Sequence, residues 1–348
     1  MKERAITFAA DVLDRAGVLR LLLAARKRRL WPDGGLTVLV YHRVANPGEI
    51  GELDPDLIDA TPAEFDAQMA YLRANFHPIG LEELLAAQRG EAPLPAGSAL
   101  VTFDDGYRDN CEQAFPILKR HGMRAIFFVT TGHVSERRLF WWERIALLVR
   151  RSRGQRIELA FPVRRQLDIS TPEAKKRTVW HLNRIVKDAF ALDVDRFLDE
   201  LAVACDVRFT PEEERALADG ALMTWDDVRT MRREGMGIGS HTRDHRVLQT
   251  LPAEHLAREL RDSRAQLERE LGEPITTIAY PVGKSIQSLP AVRQAVADAG
   301  YELGFTTEPG TNVLPSSDQR LNLKRLSIDR GVPAGLARVR LAMPTLVR

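Results

Sequence analysis

Val101-Thr102-Phe103-Asp104-Asp105-Gly106 is an apolar run that ends in two adjacent carboxylates and a glycine. Side chains of neighbouring residues diverge at a strand end, so one carboxylate can bind a metal while the other faces a substrate. Active sites of α/β barrels gather where the parallel strands end. An ordinary Asp-Asp-Gly turn accounts for the same residues on conformational grounds alone. The choice depends on what the rest of the chain supplies.

Outward from this stretch, short apolar and β-branched runs recur at 36–41, 99–103, 125–130, 236–240, 275–280, 301–306 and 323–328. They alternate with helical patterns, which predicts βα units around a mainly parallel sheet, an α/β fold. Thr61-Pro62-Ala63-Glu64 is a capping box with proline at the first helical position, and Thr224-Trp225-Asp226-Asp227 is a similar start with aspartate in place of glutamate. The alternation pauses over 133–222, a stretch of helical patterns, much arginine and the pair Trp141-Trp142. It predicts a mainly helical insertion between two barrel units, overhanging the active face. The expected organisation is an amphipathic helix at 1–30, a barrel from 31–132 and 223–335, the arginine-rich insertion at 133–222 and a tail at 336–348.

Three further strand ends carry chemistry. Gly239-Ser240-His241-Thr242-Arg243-Asp244-His245 places two histidines four residues apart. That spacing puts both imidazoles on one face of a helical turn, a geometry for one divalent ion. Two histidines and one aspartate leave ligand positions open for water, as catalytic sites do and closed structural zinc sites do not. The same donor set suits iron(II) for oxygen chemistry. A second, non-ligating aspartate beside the ligand favours hydrolysis. Leu39-Val40-Tyr41-His42 ends the first strand in a histidine, and Ala279-Tyr280-Pro281-Val282-Gly283 is either a plain turn or a source of backbone N–H groups for an oxyanion.

Together these strand ends resemble the polysaccharide deacetylases of carbohydrate esterase family four, built on the NodB homology domain. Thr102-Phe103-Asp104-Asp105-Gly106 matches the family's first motif and Ser240-His241-Thr242-Arg243-Asp244-His245 its His-[Ser/Thr]-x-x-His motif. The likeness runs over 36–45, 98–132, 224–284 and 297–330, outside 1–30 and 133–222. The resemblance implies a distorted (β/α) barrel of about seven strands. It implies Asp104 as general base, with Asp105, His241 and His245 holding one divalent metal, Zn²⁺ first and Co²⁺, Ni²⁺ or Fe²⁺ as alternatives. The implied reaction removes an N-acetyl group from an N-acetylhexosamine in a polysaccharide or glycan precursor.

Three departures from the family pattern stand out. No histidine follows His255, so the usual Leu-x-x-His general-acid motif is missing near the end of the chain. Leu39-Val40-Tyr41-His42 resembles the permuted arrangement of family members acting on poly-N-acetylglucosamine, which makes His42 the expected general acid. In the family's Arg-x-Pro-[Phe/Tyr] motif, Ala279 replaces the arginine that tethers the catalytic aspartate and Val282 replaces the aromatic. Arg325 or Arg330 is the expected substitute tether. Tyr280, Pro281, Val282, Gly283 and Arg325 form the expected oxyanion and substrate set. The third departure is the start of the chain: Asp11, Asp14, Arg15 and Arg20 interrupt its apolar residues, unlike a secretion signal.

Composition bounds the rest. The chain has 348 residues, 44% hydrophobic and 28% charged, which excludes collagen, long coiled coil and wholesale disorder. No apolar run approaches transmembrane length, and two cysteines, Cys111 and Cys205, make no disulfide framework. Residues 1–30 carry a net +5 and 137–166 a net +7 on a chain of net +2, so the remainder is acidic. Ile6, Ala9, Leu13, Ala16, Leu19 and Leu23 fall at helical spacing, so 1–30 predicts a helix that packs on the body or rests on a membrane surface. The expected location is cytoplasmic or peripheral at the inner membrane face, with an N-acetylated glycan or lipid-linked sugar as partner. No nucleic acid is expected, because no aromatics interleave regularly with the arginines. Rival readings are a deformylase or esterase on a lipid-linked or nucleotide-linked sugar, and a non-catalytic sugar-binding barrel. Trp141-Trp142 reads as core packing before sugar stacking.

Overall fold

The run that ends at Asp104 faces two ways in alternation, as a pleated strand must. Leu100 packs into one buried apolar cluster, and Val101 and Phe103 into another. Its neighbours repeat the pattern: Leu36 and Val38 against Leu39 and Tyr41, Ile126 and Phe128 against Phe127 and Val129. The first cluster fills the inside of a curled sheet. The second lies between the sheet and its covering helices, where the strands meet Phe65, Met69, Leu256 and Leu260.

The computed structural model describes Gly17, Val18, Leu21 and residues 35–342. The strands are β1 (Gly35–Tyr41), β2 (Arg43–Val44), β3 (Ile58–Ala60), β4 (His77–Pro78), β5 (Ser98–Phe103), β6 (Ala125–Val129), β7 (Arg156–Leu159), β8 (Arg165–Asp168), β9 (Gly237–Ser240), β10 (Thr277–Ala279), β11 (Leu303–Phe305), β12 (Asn312–Val313) and β13 (Leu326–Ser327). The helices are α1 (Pro62–Asn75), α2 (Leu81–Gln88), α3 (Phe115–Arg120), α4 (Thr131–Glu136), α5 (Trp141–Arg151), α6 (Pro172–Asp188), α7 (Val194–Cys205), α8 (Pro211–Ala221), α9 (Trp225–Arg233), α10 (Ala253–Leu271), α11 (Pro290–Asp298) and α12 (Ala334–Ala342). Both expected capping boxes form, Thr61 with Glu64 and Thr224 with Asp227.

The main sheet has nine strands in the order β11-β10-β9-β6-β5-β1-β12, with β4 beside β5 and β13 beside β1. Pairing along β11-β10-β9-β6-β5-β1 is parallel. β13 joins β1 in parallel, and Leu323, just before it, bridges Phe305 of β11. The last segment of the sheet therefore lies between its first strand and its far edge, and the sheet curls into a distorted (β/α) barrel. Every run read from the sequence as a strand is one. The missed strands are two- or three-residue pairs and the β7–β8 hairpin, too short or too polar for periodicity to mark.

The stretch 133–222 runs from within α4 to the end of α8 and includes that hairpin, so it is mainly rather than wholly helical. It buries its own cluster, including Trp141, Ile145, Leu182, Phe197 and Leu201, which also takes in Leu53 and Tyr107 from the barrel loops. Residues 336–342, read as part of a tail, instead belong to α12, whose Ala337 and Leu341 enter the main core, and the rest of that stretch lies outside the described residues. The expected helix at 1–30 lies outside the described residues, apart from Gly17, Val18 and Leu21. Among the described residues no helix is long and apolar enough to cross a membrane.

Candidate active site

The pleat that sorts the core also builds the site. Thr102 and Asp104 share one face of β5 and its continuation, as Val40 and His42 do for β1 and Gly239 and His241 for β9. Backbone pairing continues past the strand ends: Asp104 N–H donates to Tyr41 O at 2.9 Å, His241 N–H to Val129 O at 2.9 Å and Thr130 N–H to Asp105 O at 3.2 Å. Gly239 makes room on the inner face, since a Cβ there would lie 2.5 Å from the Phe128 ring.

The loops then tighten. Seven non-glycine residues among those described have positive φ, and four of them are Asp105 (74°), Thr242 (66°), His245 (51°) and Val282 (63°). A β-branched residue such as Val282 is strained there, and strain of this kind concentrates at functional sites.

Asp105, His241 and His245 are buried, and a ligand atom from each lies within 4.8 Å of the others. Asp105 Oδ1 is 3.4 Å from Nε2 of both His241 and His245. His241 Nδ1–H donates to Ala279 O at 2.9 Å, which turns Nε2 toward Asp105 and His245 as the atom that would ligate. Burial, and after it the charges of His241 and His133, push the His245 pKa well below its ordinary value, so that ring is neutral as a ligand must be. Among the described residues the ion-pair partners of Asp105 are these two histidines. The donor set fits one divalent cation.

Asp104 is fully buried against Arg325, which makes a two-pronged contact at 2.7 Å to each carboxylate oxygen. Arg325 is itself pinned, donating from Nε to Thr306 O at 2.8 Å and from Nη1 to Thr102 Oγ1 at 3.1 Å. Burial alone would raise the Asp104 pKa, but Arg325 and then His241 hold it below the ordinary value. Arg325 thus enters the barrel from the last strand segment, in place of the arginine missing at Ala279. It has no exposed surface and does not line the cavity, a tether's place and not that of the substrate-binding residue expected from the sequence.

His42 stands at the cavity wall with 37% of its side chain exposed, its Nδ1 3.2 Å from Asp59 Oδ2. Asp59 also accepts from the backbone N–H of His42 and, at 3.3 Å, of Arg43. Burial opposes charge on the ring, yet Asp59, reinforced by Asp105 and Asp104, drives its pKa up to about 10. Asn110, at the start of a single π-helical turn, donates from Nδ2 to His42 O at 2.8 Å.

These groups share one cavity of about 360 Å³, walled also by Asp54, Trp141, Trp142, Asn183, Lys187, Val282 and Gly283. Val282 and Gly283 thus line the cavity beside the candidate donors. Tyr280 does not: its ring is buried and its hydroxyl donates to Leu321 O at 2.8 Å, on the outer face of the sheet. Pro281 is buried and does not line the cavity. Trp142 lies with its ring 4.4 Å from that of His245 and donates to Tyr107 Oη at 2.8 Å, so the tryptophan pair is packed core that also forms a wall.

Sequence reasoning missed several groups. Asp59 precedes a capping box and reads as a polar residue in a short strand. Glu259 of α10 reads as surface, yet it is buried and accepts from the N–H groups of Arg243 (3.0 Å) and Asp244 (2.9 Å), holding the histidine loop. Glu143 of α5, buried and pushed up to about 7 by burial against the pull of Arg43, accepts from Tyr107 at 3.0 Å and from Asp54 N–H at 2.8 Å. Asn183 and Lys187 reach the cavity from α6. Helical phase within α6 was the one available signal, and it does not say which face meets the barrel.

The polysaccharide deacetylase family profile matches residues 91–161 and 164–304. The match runs through most of 133–222, so the likeness is broader than the motifs alone imply. His42 and Arg325 both lie outside it. YxkH of Bacillus subtilis strain 168, which carries the polysaccharide deacetylase name, is 22% identical over 299 residues, 85% of this chain and 72% of YxkH. The poly-β-1,6-N-acetyl-D-glucosamine N-deacetylase of Escherichia coli K12 is 30% identical over 98 residues, 28% of this chain and 14% of that protein. The Streptococcus pyogenes deacetylase PplD, solved in complex with acetate, superposes with a TM-score of 0.56 at 20% identity over 90% of this chain and 100% of that one, a likeness of fold.

Proposed function

The chain belongs to the polysaccharide deacetylase family, and from that premise we propose that it is a metal-dependent hydrolase that removes N-acetyl groups from N-acetylhexosamine units of a glycan. One observation carries the reading. Asp104 and His42 open on the same cavity as the Asp105–His241–His245 set, and their surroundings push their proton affinities in opposite directions. Pairs separated in this way are how one site holds an acid and a base at the same pH.

Asp105, His241 and His245 would hold the metal, with Zn²⁺ the first candidate for this donor set. A bound divalent ion acidifies water and polarises a carbonyl oxygen. Asp104, kept ionised by Arg325, takes the proton of the attacking water; both its oxygens retain lone pairs beyond the guanidinium. His42, kept protonated by Asp59, gives its proton to the departing nitrogen. Val282, which lines the cavity on a loop held in a left-handed conformation, would supply its N–H to the developing oxyanion. The products are a free amine and acetate. The exposed part of His42 lets solvent return its proton after each turnover.

The test is acetate release from N-acetylglucosamine oligomers by metal-stripped protein, with and without Zn²⁺ or Co²⁺. Metal-dependent release is expected. A tightly bound metal without release from any N-acetylated oligomer would overturn the assigned reaction.

A further inference from the structure

Two polar side chains of α6 face the catalytic cavity and lack partners. Asn183 and Lys187 both line it. Four residues apart, they share one face of the helix. The Asn183 Oδ1 atom is buried and accepts no hydrogen bond. The Lys187 ammonium meets no described residue at contact distance; the charges that attract it are Asp105, across the cavity, and Asp188. Its neighbour Lys284 is engaged, donating to Asp188 Oδ1 at 3.0 Å and to Lys187 O at 3.3 Å. Buried polar atoms in folded proteins almost always have partners, so an unpaired one beside a cavity is a place for a water or a ligand hydroxyl.

The groove does not stop there. Lys175, Lys176 and Val179, on the preceding turns of α6, line a second cavity of about 460 Å³, and Asp54 is a wall of both cavities. With a rise of about 1.5 Å per residue, the helix carries Val179 about 12 Å from Lys187. That is longer than one hexose ring. Asn183 supplies a neutral acceptor and donor and Lys187 a donor, while the charges along the second cavity are already engaged: Lys176 with Asp56 at 2.9 Å, Lys175 with the carbonyls of Arg150 and Ser152, and Asp54 beside Arg150 at 4.0 Å. Donors and acceptors on a path whose other charges are mutually paired suit sugar hydroxyls better than a phosphate or uronate chain.

We propose that α6 is a glycan-positioning face: Asn183 and Lys187 hold hydroxyl groups of units flanking the one that is hydrolysed, and the chain continues past Asp54 over Val179. This rests on the deacetylase reading and assigns the holding of flanking units to α6. Asn183 and Lys187 are specificity-determining residues; the proton transfers remain with Asp104 and His42.

The experiment uses the full chain loaded with Zn²⁺ and N-acetylglucosamine oligomers from one to six units. In the wild type, kcat/KM rises with length. Asn183→Ala and Lys187→Met each raise KM for the tetramer about tenfold, with kcat falling less than KM rises. Val179→Trp, which fills the second cavity, reduces the ratio of tetramer to dimer kcat/KM. A wild-type kcat/KM independent of length overturns the proposal. So do variants that lower kcat on every length and leave KM unchanged. Calorimetric binding of the tetramer to Asp104→Asn separates the two readings. If no acetate is released from any oligomer yet Asn183→Ala in that background weakens binding about tenfold, the assigned reaction fails and the α6 face stands. Equal binding with and without Asn183→Ala overturns the α6 face alone.

Discussion

At the scale of single residues, the site is defined by three carboxylates with three different companions. Asp105 faces two imidazoles, Asp104 a guanidinium and Asp59 one imidazole. Asp104→Asn keeps the shape and the metal donors but cannot take a proton. We expect unchanged zinc stoichiometry with acetate release reduced about 10²–10⁴-fold, measured on the same preparation; near-normal turnover would remove Asp104 from the role of base. Asp59 raises the His42 pKa, so Asp59→Asn lowers it. Because the acid must be protonated, the basic limb of the pH–rate profile moves to lower pH, and a limb that stays in place would sever His42 from the reaction. Arg325→Met leaves Asp104 buried without its partner. Breaking a buried pair in this way costs about 3–5 kcal/mol, readable in urea denaturation.

At the scale of elements, strand ends deliver the donors and a helix holds the loop that carries them. β9 must pack its inner face against Phe128, which is why position 239 has no side chain. Gly239→Val should therefore shift β9 away from β6, lower the melting temperature and reduce zinc affinity through His241, two residues on; the overpacking itself costs about 1–3 kcal/mol. A variant with full zinc affinity would mean that the loop positions itself independently of the strand. Glu259 of α10 accepts two consecutive backbone N–H groups between the histidine ligand candidates. Glu259→Ala leaves both donors unsatisfied and should weaken zinc binding in calorimetry. Glu259→Gln retains an acceptor oxygen and should recover part of the loss.

At the scale of the whole molecule, a buried polar network joins the barrel to the helical layer. Arg43 Nε meets Asp109 Oδ2 at 2.8 Å and its guanidinium lies over the Tyr107 ring, while Tyr107 links through its hydroxyl to Glu143 and Trp142 of α5. Residues 43, 107 and 109 follow the strands that end in His42 and Asp104, so the layer that walls the cavity is fixed to the same loops that carry the chemistry. Metal binding should act on this whole unit. At a hundredfold excess over its Kd, Zn²⁺ stabilises the folded state by about 2.7 kcal/mol. The melting temperature should rise with Zn²⁺, fall back with a chelator, and be indifferent to both in Asp105→Ala.

The principal parallel strands, the residues that share a face on each, and the candidate metal donors Asp105, His241 and His245 were legible in the sequence by itself. Each rests on short-range regularities: the two-residue period of a strand, the adjacency of Asp104 and Asp105, and the four-residue spacing of His241 and His245. Only the tertiary structure decided which arginine tethers Asp104, because Arg325 lies 221 residues away and meets it only once the sheet has curled back on itself. The same holds for Asp59 on His42, for the outward turn of Tyr280, and for Asn183 and Lys187 above the cavity. A period states which residues share a face. What that face meets depends on barrel closure and helix docking, which are properties of the whole chain.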